Sequence, residues 1–231
     1  MYFDAATYRS IINLLNMKIF LDTADYEAIA ERYTTGLVDG ITTNPTLVRK
    51  SGVDYVEFIK TLATNFAFES ISAEVEGDTD VEMIRNAQQY IEVGQNVTIK
   101  LPLTKDGLSA CKVLTDDGIE TNVTLCFSAA QAVMAAKAGA TYISPFVGRL
   151  NDNSFSGVEL VRAISGLYCA HGVRTKILAA SLRDVHHVSR CLMYGASVVT
   201  LPPAVFDKMY NHVLTDAGLA IFEKDFKEIN G

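Results

Sequence analysis

Eight short runs of β-forming residues alternate with amphipathic stretches along this chain, and that alternation limits its fold more than any other feature. The runs are KIFLD (18–22), GITT (40–43), ISAEV (71–75), VTIKL (97–101), TNVTL (121–125), YISPF (142–146), KILAAS (176–181) and SVVTL (197–201). They are rich in Val, Ile and Thr and mostly continuous in hydrophobicity, as strands covered on both faces are. Between them lie helical patterns such as 54–66, 129–139 and 158–172, several of which close on Gly. An open, doubly wound sheet uses about five or six strands and would leave two of these runs unplaced. Eight strand–helix units instead predict a single (β/α)8 TIM barrel, an α/β fold that routinely occupies about 200–250 residues. The barrel is expected over 17–214. A further helix over 215–231 carries Leu219, Phe222, Phe226 and Ile229 on one stripe, which packs either on its own barrel or on a neighbouring subunit.

Residues 1–16 stand before the first unit. They have an apolar middle but no basic leader and no clear cleavage site, so they are read as an N-terminal extension, with Met17 an alternative start. The 231 residues carry 20 Lys+Arg against 27 Asp+Glu, a net charge of −7 that argues against nucleic acid or an anionic membrane as partner. No apolar run approaches the ~18 residues of a membrane span. Cys111, Cys126, Cys169 and Cys191 lie far apart with no CxxC pair, and read as small core residues of a cytoplasmic protein.

In such a barrel the reactive groups sit at the C-terminal ends of the strands and in the loops after them. Polar residues collect there: Asp22, then Thr42, Thr43 and Asn44, then Glu74, Lys100, Asn122, Thr124, Ser144, Arg149, Ser181, Arg183 and Thr200. Lys100 shares strand parity with Thr98, whereas Val97, Ile99 and Leu101 share the opposite parity and suit the helix-facing side. Lys100 is therefore expected to point into the barrel. Burial disfavours an ammonium and favours a neutral amine that attacks carbonyls; the alternative is a lysine neutralised by Asp22 or Glu74. Those two carboxylates are also the candidate proton-transfer groups. Lys18 and Lys176 precede their apolar runs and belong at the opposite, stability face.

Arg149 and Arg183, with Ser181 beside the latter, are suited to a phosphate where they converge at one rim, although each arginine alone is more often a surface ion pair. His186 and His187 are adjacent on a helical stretch and diverge by about 100°, so they cannot chelate one metal together. There is no HxH or HExxH pattern and no GxGxxG or Walker loop, so neither a metal nor a nucleotide cofactor is indicated.

The segments FLDTAD, GITTNPTL, IKLPLT, TNVTLCFSAAQA, AGATYISPFVGRL and ILAASLR, in that order, resemble the transaldolase family. More closely, the chain is similar to the short branch that also contains fructose-6-phosphate aldolases. The resemblance runs from Met17 to nearly the C-terminus. It implies a metal-free, cofactor-free class I enzyme whose Schiff-base lysine is Lys100. It also implies that Asp22 is the strand-one aspartate and that Glu74 is the carboxylate working through a bound water. Thr42, Asn44, Asn122, Thr124, Ser144 and Phe146 would then surround the sugar, and Arg149, Ser181 and Arg183 would bind its phosphate. The aldolase branch carries Gln where Glu74 stands and Tyr where Phe146 stands, so at both positions this chain resembles the transferases. The implied donors are sedoheptulose 7-phosphate or fructose 6-phosphate, the acceptors aldose phosphates, and the setting the pentose phosphate pathway. The expected assembly is a homo-oligomer built from pentamers, hence a pentamer or decamer.

Overall fold

The computed structural model describes residues 17–52 and 54–230; the expected extension at 1–16 lies outside these. Among the described residues the strands β1 (Lys18–Asp22), β2 (Gly40–Thr42), β3 (Ser70–Glu74), β4 (Val97–Pro102), β5 (Thr121–Cys126), β6 (Tyr142–Pro145), β7 (Lys176–Ala179) and β8 (Val198–Leu201) close a barrel in sequence order. Every pairing is parallel, and β8 returns to β1. The fold is the (β/α)8 barrel that the alternation predicts. Each strand lies within one residue of its expected run except β7, which stops at Ala179 rather than Ser181. Beyond Ala179 only a single bridge, Ala180 to Phe146, remains, and Ser181 then adopts a left-handed backbone (φ 58°).

The helices are α1 (Tyr26–Tyr33), α2 (Pro45–Ser51), α3 (Tyr55–Asn65), α4 (Asp80–Ile91), α5 (Lys105–Asp116), α6 (Ala129–Lys137), α7 (Val147–Asp152), α8 (Gly157–His171), α9 (Val185–Met193), α10 (Pro203–Lys208) and α11 (Val213–Asn230). One helix per strand is therefore too few: β2, β6 and β8 are each followed by two. The short α2 and α7 escape a periodicity reading because one or two turns carry no repeat to detect. They matter here because each begins directly at a strand's C-terminal end.

Alternation along the strands divides the molecule into two cores. Leu21, Ile41, Ile71, Ile99, Leu101, Val123, Ile143, Ile177, Val199 and Leu201 face outward and fill the layer between barrel and helices. Inside, Phe20, Tyr142, Leu178 and Val198 form a plug, with the Phe20 and Tyr142 rings edge-on at 6.1 Å. Gly40 leaves room for it: a Cβ there would stand 2.7 Å from the Phe20 ring. Below the plug Lys18 pairs with Asp39 and Glu69, and Lys176 with Glu69, at the N-terminal face where both lysines were expected. Above it the interior becomes polar.

One expectation needs correction, and one alternative narrows. Cys111, Cys126 and Cys191 are buried, but Cys169 is exposed. The buried positions of α8 are 157, 158, 161, 164 and 168, and residue 169 lies about 100° round from the last of them. Of the stripe on α11, Leu219, Phe222 and Ile229 are between 60% and 77% exposed, which disfavours packing on their own barrel.

Candidate active site

Strand register sets the expected residues in two neighbouring rows. Asp22 pairs with Thr42 across β1–β2, Glu74 with Lys100 across β3–β4, and Lys100 with Asn122 across β4–β5. Asp22, Thr42 and Glu74 end their strands and Lys100 lies late in β4, whereas Asn122 is the second residue of β5. Lys100 points inward and is buried, as its parity predicts. Its Nζ donates to Glu74 Oε2 at 2.8 Å and to the Thr43 carbonyl at 3.2 Å. Of the two carboxylates weighed as partners, Glu74 makes the contact.

Asp22 accepts a hydrogen bond from Thr42 Oγ1 at 3.0 Å, and the Thr200 hydroxyl stands 2.7 Å from Thr42. Burial pushes the Asp22 carboxyl above the usual aspartate range; the Lys100 charge and the Thr42 hydrogen bond oppose the rise, and Glu74 adds to it. A second chain of hydroxyls and amides crosses the far side: Ser144 Oγ donates to Asn122 Oδ1 at 2.6 Å, and Asn122 Nδ2 donates to Ser72 Oγ at 3.2 Å. This fixes which end of the Asn122 amide faces which neighbour. Thr124 Oγ1 is buried with no hydrogen-bond partner among the described residues, so it is available to a polar group entering the cavity.

Asp22, Thr42, Asn44, Lys100, Thr124, Ser144, Phe146, Arg149, Ser181 and Thr200 line one cavity. Asn44 reaches it as the N-cap of α2: its Oδ1 accepts from the Leu47 amide at 3.0 Å, which leaves the side-chain NH2 for the cavity. Arg149 reaches it from α7, with its guanidinium 4.9 Å from the Phe146 ring centroid. Ser181 faces α7 across a close backbone approach that only Gly148 permits, for a Cβ at 148 would lie 1.9 Å from the Ser181 carbonyl oxygen. Arg183 stands apart. It is exposed and bonded to Asp152 at the end of α7, 2.5 Å away, the surface ion pair weighed as its alternative. Among the described residues no three His, Cys, Asp or Glu side chains cluster as a metal site.

Comparison with known proteins bears on this arrangement. The family model described as Transaldolase/Fructose-6-phosphate aldolase matches residues 19–230. The chain is 51% identical over 210 residues to the "Probable transaldolase" of Caulobacter vibrioides (strain NA1000 / CB15N), covering 91% of this chain and 96% of that protein. It has the same identity and coverage with the "Probable transaldolase" of Paracoccus denitrificans (strain Pd 1222). This chain belongs to the transaldolase/fructose-6-phosphate aldolase family.

Within this transaldolase/fructose-6-phosphate aldolase barrel, two side chains near Lys100 are absent from the sequence reading. Ser72 extends the Asn122 network, and its only signal is strand parity with Glu74. Tyr55, on α3, accepts the Glu74 backbone N–H at 2.8 Å and stands 2.7 Å from Thr43 Oγ1. In sequence it is one apolar position in a stripe with Phe58, Ile59 and Leu62, and nothing there separates it from a core ring.

Proposed function

We propose that this protein is a transaldolase, moving a three-carbon dihydroxyacetone unit from a ketose phosphate to an aldose phosphate through a Schiff base on Lys100. The observation that carries the reading is Lys100 itself: buried, inward, at a strand's C-terminal end, and bonded to a carboxylate at 2.8 Å. Before attack Lys100 must lose a proton, and Glu74 is the adjacent acceptor. The amine then adds to the C2 carbonyl of the ketose, and the carbinolamine loses water to give an iminium. With the iminium as electron sink the C3–C4 bond breaks; the C4 hydroxyl proton passes to Asp22, whose raised pKa suits it to hold one. The aldose phosphate leaves and the enamine remains. A second aldose phosphate accepts it, Asp22 returns the proton, and hydrolysis frees the new ketose.

In this reading Thr42, Asn44, Asn122, Thr124 and Ser144 hold the sugar hydroxyls, and Glu74 also works through a bound water. Arg149 and Ser181 bind the phosphate, and Arg183 joins them by exchanging Asp152 for the substrate. Sedoheptulose 7-phosphate and fructose 6-phosphate are the proposed donors, with glyceraldehyde 3-phosphate or erythrose 4-phosphate as acceptor, in the cytoplasm, as a step of the pentose phosphate pathway. The reaction needs no metal or cofactor. The second reading, an aldolase releasing free dihydroxyacetone, is disfavoured by Phe146, which has no hydroxyl to assist protonation of the enamine.

Incubation with fructose 6-phosphate and borohydride, followed by mass mapping, tests this directly. A three-carbon adduct on Lys100 that Lys100→Ala abolishes supports it; an adduct on Lys18 or Lys176 overturns it. Turnover of any kind excludes a barrel that only binds sugar phosphates.

A further inference from the structure

The hydrogen-bond ladder between β2 and β3 breaks one rung above the plug, and the break is where Lys100 is held. Thr43 N–H donates to the Ser72 carbonyl at 3.2 Å. In an unbroken parallel ladder the next bond would run from the Glu74 N–H to the Thr43 carbonyl. Both groups are engaged elsewhere: the Glu74 N–H donates to Tyr55 Oη at 2.8 Å, and the Thr43 carbonyl accepts from Lys100 Nζ at 3.2 Å. Thr43 Oγ1 donates to the Ser72 carbonyl at 2.9 Å, so the Tyr55 hydroxyl, 2.7 Å away, must donate to Thr43 Oγ1. Burial pushes the Tyr55 phenol well above its ordinary range, so it keeps the proton this arrangement requires.

We propose that Tyr55 is a positioning residue for Lys100. Its phenol takes the place of the missing rung, releases the Thr43 carbonyl to the lysine ammonium, and anchors the backbone of Glu74, so that one side chain from α3 fixes both acceptors of Lys100. Tyr55 itself does not line the cavity. Its effect is on the reactivity of Lys100 and not on sugar-phosphate binding, and the proposal rests on Lys100 being the Schiff-base lysine. The ionisable groups facing Lys100 are Glu74 from β3 and Asp22 from β1, and Tyr55→Phe removes neither carboxylate.

The test compares wild type, Tyr55→Phe, Thr43→Val, the double variant and Tyr90→Phe as a control. Tyr90 is a buried ring 5.5 Å from Tyr55. In Tyr55→Phe the Glu74 N–H closes on the Thr43 carbonyl, and the ammonium loses an acceptor. Borohydride trapping with fructose 6-phosphate should slow about tenfold or more, as for a displaced reacting group. KM should stay within about twofold, because uniform binding is untouched. The pH midpoint of trapping should move to lower values, because the charged amine has lost stabilisation. Thr43→Val should act in the same direction, and the double variant should be no worse than the weaker single, since both cut one path. Tyr90→Phe should trap like wild type.

A folded Tyr55→Phe with unchanged trapping rate and pH midpoint overturns the proposal, as does strict additivity of the two variants. If Tyr55→Phe does not fold, Thr43→Val decides alone: an unchanged midpoint overturns the proposal and an acid shift supports it. Failure to trap wild type at Lys100 would overturn the transaldolase reading and this proposal together, an outcome distinct from trapping that Tyr55→Phe leaves unchanged.

Discussion

Asp22 is held in a state that folding alone would not choose. Its carboxyl is buried, and its pKa is raised despite a hydrogen bond from Thr42 and the nearby Lys100. A carboxyl with a raised folded pKa binds its proton more tightly in the native state, so the protein loses stability as pH rises from the ordinary value of 3.8 through the folded one. Asp22→Asn removes that loss. The variant is expected to be more stable than wild type at neutral pH by about 1 kcal/mol, with the difference shrinking as pH falls toward 4, while activity collapses. Thermal melts at several pH values check this. Phe146→Tyr is the residue that tests product fate: the added phenol should raise the ratio of free dihydroxyacetone to transferred unit, and an unchanged ratio in a folded variant refutes the role. Lys100 was legible in the sequence because strand parity reports which face a side chain occupies. Tyr55 was not, because its function lies in a hydroxyl that hydrophobic periodicity does not register. The pairing of Arg183 with Asp152 was equally hidden, since no local pattern links residues 31 apart.

The elements that build the rim divide along the same line. The eight strands were legible to within one or two residues because each run is rich in Val, Ile and Thr and continuous in hydrophobicity, as a strand covered on both faces is. The short helix α7 was not. VGRLND is six residues long with no side-chain cap, yet it brings Arg149 to the cavity. Its seat against Ser181 depends on Gly148. Gly148→Ala would drive a Cβ to 1.9 Å from backbone oxygen, which cannot swing aside as a side chain would. It should destabilise the fold by about 1–3 kcal/mol and raise KM for phosphorylated substrates more than for unphosphorylated ones. Arg149→Ala should weaken phosphorylated substrates by roughly 2–4 kcal/mol, the range for truncating one partner of a charged pair, and spare free sugars. Equal losses for both substrate types would mean that the arginine serves the fold.

On the scale of the whole molecule, α11 is the element without an explanation inside one chain. Val213, Leu214, Leu219, Ile221, Phe222 and Ile229 are each at least 59% exposed on it, and a concentration of exposed apolar side chains is typical of an interaction surface. We expect it to join copies of the chain in the pentamer or decamer that the family resemblance implies. Truncation after residue 214 should lower the mass measured by light scattering, and a wild-type monomer at micromolar concentration would contradict the assignment. The plug of Phe20, Tyr142, Leu178 and Val198 has a consequence of its own for kinetics. It fills the barrel interior beneath the polar cavity. On the proposed mechanism both aldoses use this one cavity, so the first departs before the acceptor enters. Double-reciprocal plots at several acceptor concentrations should therefore be parallel lines, and excess acceptor should choke the enzyme by occupying the entrance before the donor arrives.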